Sequence, residues 1–140
     1  MTACCAEILV VEDNPGDAVL LRESFSDSGM NVRLSFARDG REALNYLRRK
    51  DDAARSKEPD LIILDLKMPG MDGLTFLKEM RDDPLLRDIC VAVLSGSDAP
   101  DDREAALLLG ARAFFTKPAK LEGWKEISAK LGEIAFAAQA

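Results

Sequence analysis

The chain has 140 residues, the size of one ordinary domain, and 47% of them are hydrophobic against 31% charged, which allows a real core and argues against disorder. The net charge of -6 argues against nonspecific nucleic-acid binding, which needs a basic face.

The apolar pattern alternates between short runs and helical stretches five times. Ile8 to Val11 reads as a strand buried on both faces, ending in Glu12-Asp13. Asn14 and Pro15 mark a helix start, with Asn14 as cap; Ala18, Leu21 and Phe25 share one face, and Gly29 closes the helix. Val32 to Ala37 is a more polar strand, expected nearer a sheet edge. Asp39 and Glu42 have the spacing of a capping box for a helix that buries Ala43, Leu44 and Leu47. Residues 49–59 are charged and weakly patterned, and read as helix end plus flexible loop.

Leu61 to Leu64 is the strongest central-strand signal and ends in Asp65; Pro69-Gly70 marks a loop. A helix from about Gly73 to Asp82 should bury Leu74, Leu77 and Met80. Ile89 to Leu94 is a fourth strand ending at Ser95. A helix beginning near Asp98, with Pro100 close to its start, then runs to Gly110. Ala113 to Thr116 is a short fifth strand, followed by Lys117-Pro118. From Leu121 a last helix places Leu121, Trp124, Ile127, Leu131 and Ile134 at three- and four-residue steps. Alternating strands and helices predict a parallel sheet with helices on both faces. The expectation is a single domain over 1–140, with a short N-terminal tail (1–6) and an extended C-terminal helix.

In an open parallel sheet, ligands sit outside the carboxyl ends of the strands. Glu12, Asp13, Asp65, Ser95 and Lys117 all follow a strand and should share that end. Clustered carboxylates raise one another's pKa, and a hard divalent cation relieves the repulsion. A carboxylate that is already ionised can attack phosphorus directly and needs no general base, which suits a chain without histidine. The missing histidine also excludes a histidine kinase or histidine phosphotransfer module. The three cysteines (Cys4, Cys5 and Cys90) have no disulfide-framework spacing, and zinc is set aside. No apolar run approaches a membrane span and none fits a signal h-region, so no membrane association and a cytoplasmic location are expected.

The segments VVEDN (10–14), LIILDLKMPGMDG (61–73), VLSGS (93–97) and FTKP (115–118) closely resemble the response-regulator receiver family, in the family's order. The resemblance implies an α/β flavodoxin-like receiver fold: a five-stranded parallel sheet of order 2-1-3-4-5 sandwiched by five helices. It implies that Asp65 is the phosphoacceptor and that Asp13, Asp65, the carbonyl of Lys67 and, through water, Glu12 hold Mg²⁺ or Mn²⁺. Ser95 is then the switch hydroxyl, Lys117 the partner of the phosphoryl oxygens, and Phe114 stands at the aromatic switch position. The Lys117-Pro118 bond is expected to be cis, as in relatives. Lys67, two residues after the acceptor, is expected to affect the lifetime of the phosphoryl group. The EDNPGD stretch (12–17), the charged segment and the extended last helix resemble single-domain regulators of phytochrome-type sensor histidine kinases.

The function so implied is a two-component response regulator that catalyses only its own phosphorylation and slow dephosphorylation. Other readings are a degenerate receiver acting as a phosphorylation-independent scaffold, an aspartyl-nucleophile phosphatase, and a flavin or nucleotide binder. The DxDxT pattern and the phosphate-binding loops that the last two need are missing. The apolar pattern that extends to Ile134 and Phe136 suggests a homodimer through the last helix and fifth-strand region.

Overall fold

The computed structural model of the protein describes residues 5–49, 58–96 and 99–139. Its order is β1 (Ala6–Val11), α1 (Pro15–Ser28), β2 (Val32–Ala37), α2 (Gly40–Arg48), β3 (Leu61–Leu64), α3 (Gly73–Asp82), β4 (Val91–Ser95), α4 (Pro100–Leu108), β5 (Ala113–Thr116) and α5 (Leu121–Ala138). The strands form one parallel sheet of order β2-β1-β3-β4-β5. This is the predicted order, and it puts the more polar β2 at an edge. Most of the segment expected to be a loop, Ser97 at the end of the VLSGS run, and Asp98, near which the fourth helix was expected to begin, lie outside the described residues.

Burial follows position in the sheet. Every residue of the central strands β3 and β4 is buried, whereas β2 is buried only at Ala37 and β5 only at Phe114. Two apolar clusters cover the two faces. One gathers Leu9, Val11, Ile62 and Leu64 with Leu47, Phe76 and Met80. The other gathers Ile8, Val10, Ile63 and Leu94 with Leu21, Phe25, Trp124 and Leu131. Full burial of a large apolar side chain contributes roughly 1.5–3 kcal/mol, so these layers are the main force holding the strand ends in one plane.

Helix ends follow the expected chemistry, with adjustments. Asn14 caps α1, its side chain accepting from the backbone N–H of Gly16 at 2.9 Å and Asp17 at 3.2 Å. Gly29 ends that helix at φ 74°, a left-handed conformation that favours glycine. Asp39 accepts from Glu42 N–H at 2.8 Å, but the Glu42 carboxylate accepts from Arg38 N–H at 3.2 Å, one residue before the cap position. In α3 the buried residues are Gly73, Phe76, Leu77 and Met80, with Leu74 only half-buried.

In α5 the buried stripe is Trp124, Ser128, Leu131, Gly132 and Ala135, while Leu121 is 54% exposed. The helix packs against α1, and Gly132 is one of the small residues in its stripe; a Cβ there would collide with Met30 Sδ, just after α1. Ile127, Ile134 and Phe136 pack half-buried against the core, so the apolar pattern at the end of α5 is largely used within the chain. The strand β1 begins at Ala6, which shortens the expected tail by one residue, and the Cys5 carbonyl accepts from Gln139 Nε2 at 2.9 Å. Among the described residues no helix is long and apolar enough to cross a membrane.

Candidate phosphoacceptor site

The carboxyl ends of β1, β3 and β5 bring the acidic and basic groups together. Glu12 follows β1 and is 6% exposed, Asp65 follows β3 and is 4% exposed, and Asp13 lies at the surface. Each of these three residues offers a carboxylate oxygen, and the three oxygens lie within 4.8 Å of one another. Backbone pairing fixes the positions, because Glu12 N–H donates to Ala37 O at 2.9 Å and Asp65 N–H to Val11 O at 3.1 Å.

Lys117 enters this cluster from the loop after β5. Its backbone N–H donates to Ser95 O at 2.7 Å, tying that loop to the end of β4. Its Nζ lies 2.8 Å from Glu12 Oε1, 3.1 Å from Asp65 Oδ2 and 2.7 Å from Asp17 Oδ2. One ammonium thus serves three carboxylates in a place largely closed to water, where charge is weakly screened. Burial raises the Glu12 carboxyl from 4.5 to about 7; the Lys117 hydrogen bond opposes the shift and the Asp65 charge adds to it. Burial alone would lower the Lys117 pKa, but its hydrogen bonds to Asp17 and Glu12 and the charges of Glu12 and Asp65 outweigh that, and the net direction is upward.

The loop after β3 folds closely around Asp65. Lys67 N–H donates to Asp65 Oδ1 at 3.3 Å, and Gly73 N–H to Leu66 O at 3.0 Å. A Cβ on Gly73 would fall 2.5 Å from the Asp65 carbonyl oxygen, so only glycine lets α3 begin this near the acceptor strand. The Lys67 ammonium points away, 3.8 Å from Asp102 Oδ2 on α4, with its side chain 71% exposed. Ser95 is fully buried at the end of β4, in register with Thr116.

One expectation changes here. Among the described residues there is no cis peptide bond, so Lys117-Pro118 is trans, the isomer that an X–Pro bond intrinsically prefers by about 0.5–1 kcal/mol. Phe114 is 7% exposed and belongs to the core cluster on one face of the sheet, with the Arg103 guanidinium 5.6 Å from its ring centre. One site residue was not singled out from the sequence: Asp17, in the first turn of α1. The signal was there, because Asn14-Pro15 starts the helix directly after the acidic pair and turns Asp17 back toward the strand ends.

Three carboxylate oxygens at this spacing are the hard donor set that Mg²⁺ or Mn²⁺ takes, with water completing the shell. The three carboxylates fit such an ion, which would share Glu12 and Asp65 with the Lys117 ammonium.

Comparison with known proteins agrees with this geometry. The profile of the response regulator receiver domain matches residues 8–127. The probable methanogenesis regulatory protein FilR2 of Methanothrix harundinacea is 35% identical over 126 residues, which are 90% of this chain and 81% of FilR2. Response regulator Rcp1 of Synechocystis is 36% identical over 115 residues, 82% of this chain and 78% of Rcp1; its Mn²⁺-bound form superposes with a TM-score of 0.79 at 33% identity, covering 89% and 90% of the chains. The phosphorylated cyanobacterial phytochrome response regulator RcpA superposes with a TM-score of 0.86 at 36% identity, covering 96% of both chains.

Proposed function

The chain belongs to the response regulator receiver family of two-component signalling, and from that premise we propose that Asp65 is its phosphoacceptor. Receiver domains take their phosphoryl group from sensor histidine kinases. The observation that carries the assignment is Asp65 itself: buried at the end of the central strand, within 4.8 Å of the Glu12 and Asp13 carboxylates and 3.1 Å from the Lys117 ammonium.

The chemistry follows from those neighbours. An Asp65 carboxylate oxygen forms a bond to phosphorus while the phosphorus–nitrogen bond of a phosphohistidine breaks. The electron pair returns to the imidazole nitrogen, which takes its proton from solvent. Lys117 donates to the phosphoryl oxygens and offsets their charge. Glu12, Asp13, Asp65 and the carbonyl of Lys67 are the groups that would hold Mg²⁺ or Mn²⁺, which when bound supplies further charge neutralisation. Ser95 then turns its hydroxyl toward the phosphoryl group, and the shift passes to α4, β5 and α5 as a two-state change. Phe114, held between the core and Arg103, belongs to that shift as a packing element.

RcpA is a phytochrome response regulator, and the likeness to it and to Rcp1 supports a phytochrome-type kinase as the partner, acting in the cytoplasm. A second copy of the chain is a further proposed partner, through α5 and the neighbouring β5 region. Leu107 and Leu108 on α4 and Leu121 on α5, exposed at 42%, 69% and 54%, support it. The scaffold reading finds no support, because Glu12, Asp13, Asp65, Ser95 and Lys117 are all present. The test is chemical: after treatment with acetyl phosphate and Mg²⁺, borohydride reduces an acyl phosphate to an alcohol. Peptide mass analysis should find that change at Asp65; a change at another carboxylate overturns the assignment.

A further inference from the structure

The acceptor chemistry above uses Glu12, Asp13, Asp65 and Lys117 but gives no work to Asp17. Yet Asp17 Oδ2, at 2.7 Å, is the nearest of the three carboxylates to Lys117 Nζ, against 2.8 Å for Glu12 and 3.1 Å for Asp65. An ammonium has three hydrogens and no acceptor, so these three contacts engage its whole donor capacity. The pair is not a loose surface contact, since the side chains of Lys117 and Asp17 are 15% and 19% exposed.

The two partners are also anchored differently. Asp17 sits in the first turn of a capped helix, where the helix dipole favours its negative charge. Lys117 reaches across on a four-carbon stem from a backbone tied to Ser95 O. A phosphoryl oxygen can receive a hydrogen from Lys117 only when one of the three carboxylates releases it.

Resting on the reading of Asp65 as acceptor, we infer that Asp17 is a positioning residue that tethers Lys117 to α1 and competes with the incoming phosphoryl group for its ammonium. Asp17 therefore sets how readily the site takes up a phosphoryl donor. Removing its charge while keeping its size weakens its hold on the ammonium, because an amide oxygen accepts less strongly than a carboxylate, and removes one repulsion against a dianionic phosphoryl group.

The experiment compares wild type, Asp17→Asn, Asp17→Glu and Asp65→Asn, with acetyl phosphate as donor and Mg²⁺ present. Asp17→Asn should lower the KM for acetyl phosphate about tenfold, with little change in kcat, and Asp17→Glu should restore wild-type behaviour. A second readout uses metal-free protein: the Lys117 ammonium protons, observed by NMR, should exchange with water about tenfold faster in Asp17→Asn. An Asp17 that served only to support the fold would lower the melting temperature without moving either quantity. An unchanged KM or an unchanged Lys117 exchange rate in folded Asp17→Asn overturns the inference. If wild type is phosphorylated and Asp65→Asn is not, such a failure is the inference's alone; if wild type takes up no phosphoryl group, the acceptor reading fails and the inference with it.

Discussion

Glu12 is the residue whose protonation should be easiest to observe. Its pKa in the fold is about 7 against an ordinary 4.5, chiefly because it is buried. Between those values the folded, metal-free protein binds more protons than the unfolded chain, so this group's contribution to stability is present below about 4.5 and lost as pH rises through about 7. Urea midpoints measured in EDTA at pH 5 and pH 8 should show wild type losing stability relative to Glu12→Gln as pH rises; a constant difference contradicts this. Lys67 makes a separate prediction. Its exposed side chain follows the acceptor by two residues, with the ammonium turned away to a long contact with Asp102. It can swing to shield an acyl phosphate from water, so Lys67→Asn should shorten the phosphoryl lifetime severalfold, read by loss of the added mass with time. An unchanged lifetime removes Lys67 from the account. At this scale the sequence was informative wherever a residue directly follows a strand, because strand ends converge on one edge of the sheet. It was less so for Asp17, which reaches Lys117 across 100 residues of chain. Nor could the apolar run around Phe114 reveal which way that ring points.

The element that matters most to the chemistry is the loop from Asp65 to the start of α3. Asp72 caps that helix by accepting from Thr75 N–H at 2.9 Å, and Gly73 lies against the acceptor's own backbone. Gly73→Ala should push α3 away from β3 and destabilise the fold by about 1–3 kcal/mol. It should also slow phosphorylation, because the Lys67 N–H that orients Asp65 moves with the loop. Denaturant unfolding alongside acetyl phosphate uptake checks both, and an alanine variant with wild-type stability and uptake contradicts the packing argument. Element positions were largely legible. The bounds of β2, β3 and β5, the caps of α1 and the start of α3 follow from apolar runs and from Asn14, Gly29 and Gly73. The faces of helices were less so. Phe76 takes a core place that periodicity had given to Leu74, and the α5 stripe turns so that Ser128, Gly132 and Ala135 are buried while Leu121 is exposed. Close helix approach selects small residues, and an apolar count does not register them.

For the molecule as a whole, the parallel sheet order and the two apolar layers bring two buried carboxylates, Glu12 and Asp65, to one edge of the sheet, with one lysine bridging them. A homodimer would use the exposed apolar residues of α4 and α5, Leu107, Leu108 and Leu121, more than Ile134 and Phe136, which the chain's own core already contacts. Light scattering over a concentration series should show a dimer, and Leu108→Glu with Leu121→Glu should return it to monomer. A wild-type monomer at high concentration, with and without phosphorylation, ends that proposal. The central claim, that Asp65 accepts a phosphoryl group, is tested most directly by intact mass after incubation with Mg²⁺ and acetyl phosphate. The predicted result is the mass of one added phosphoryl group in wild type, labile to hydroxylamine and absent in Asp65→Asn. A wild type that gains no mass over a range of donor and Mg²⁺, or an Asp65→Asn variant that gains it equally, would contradict the account.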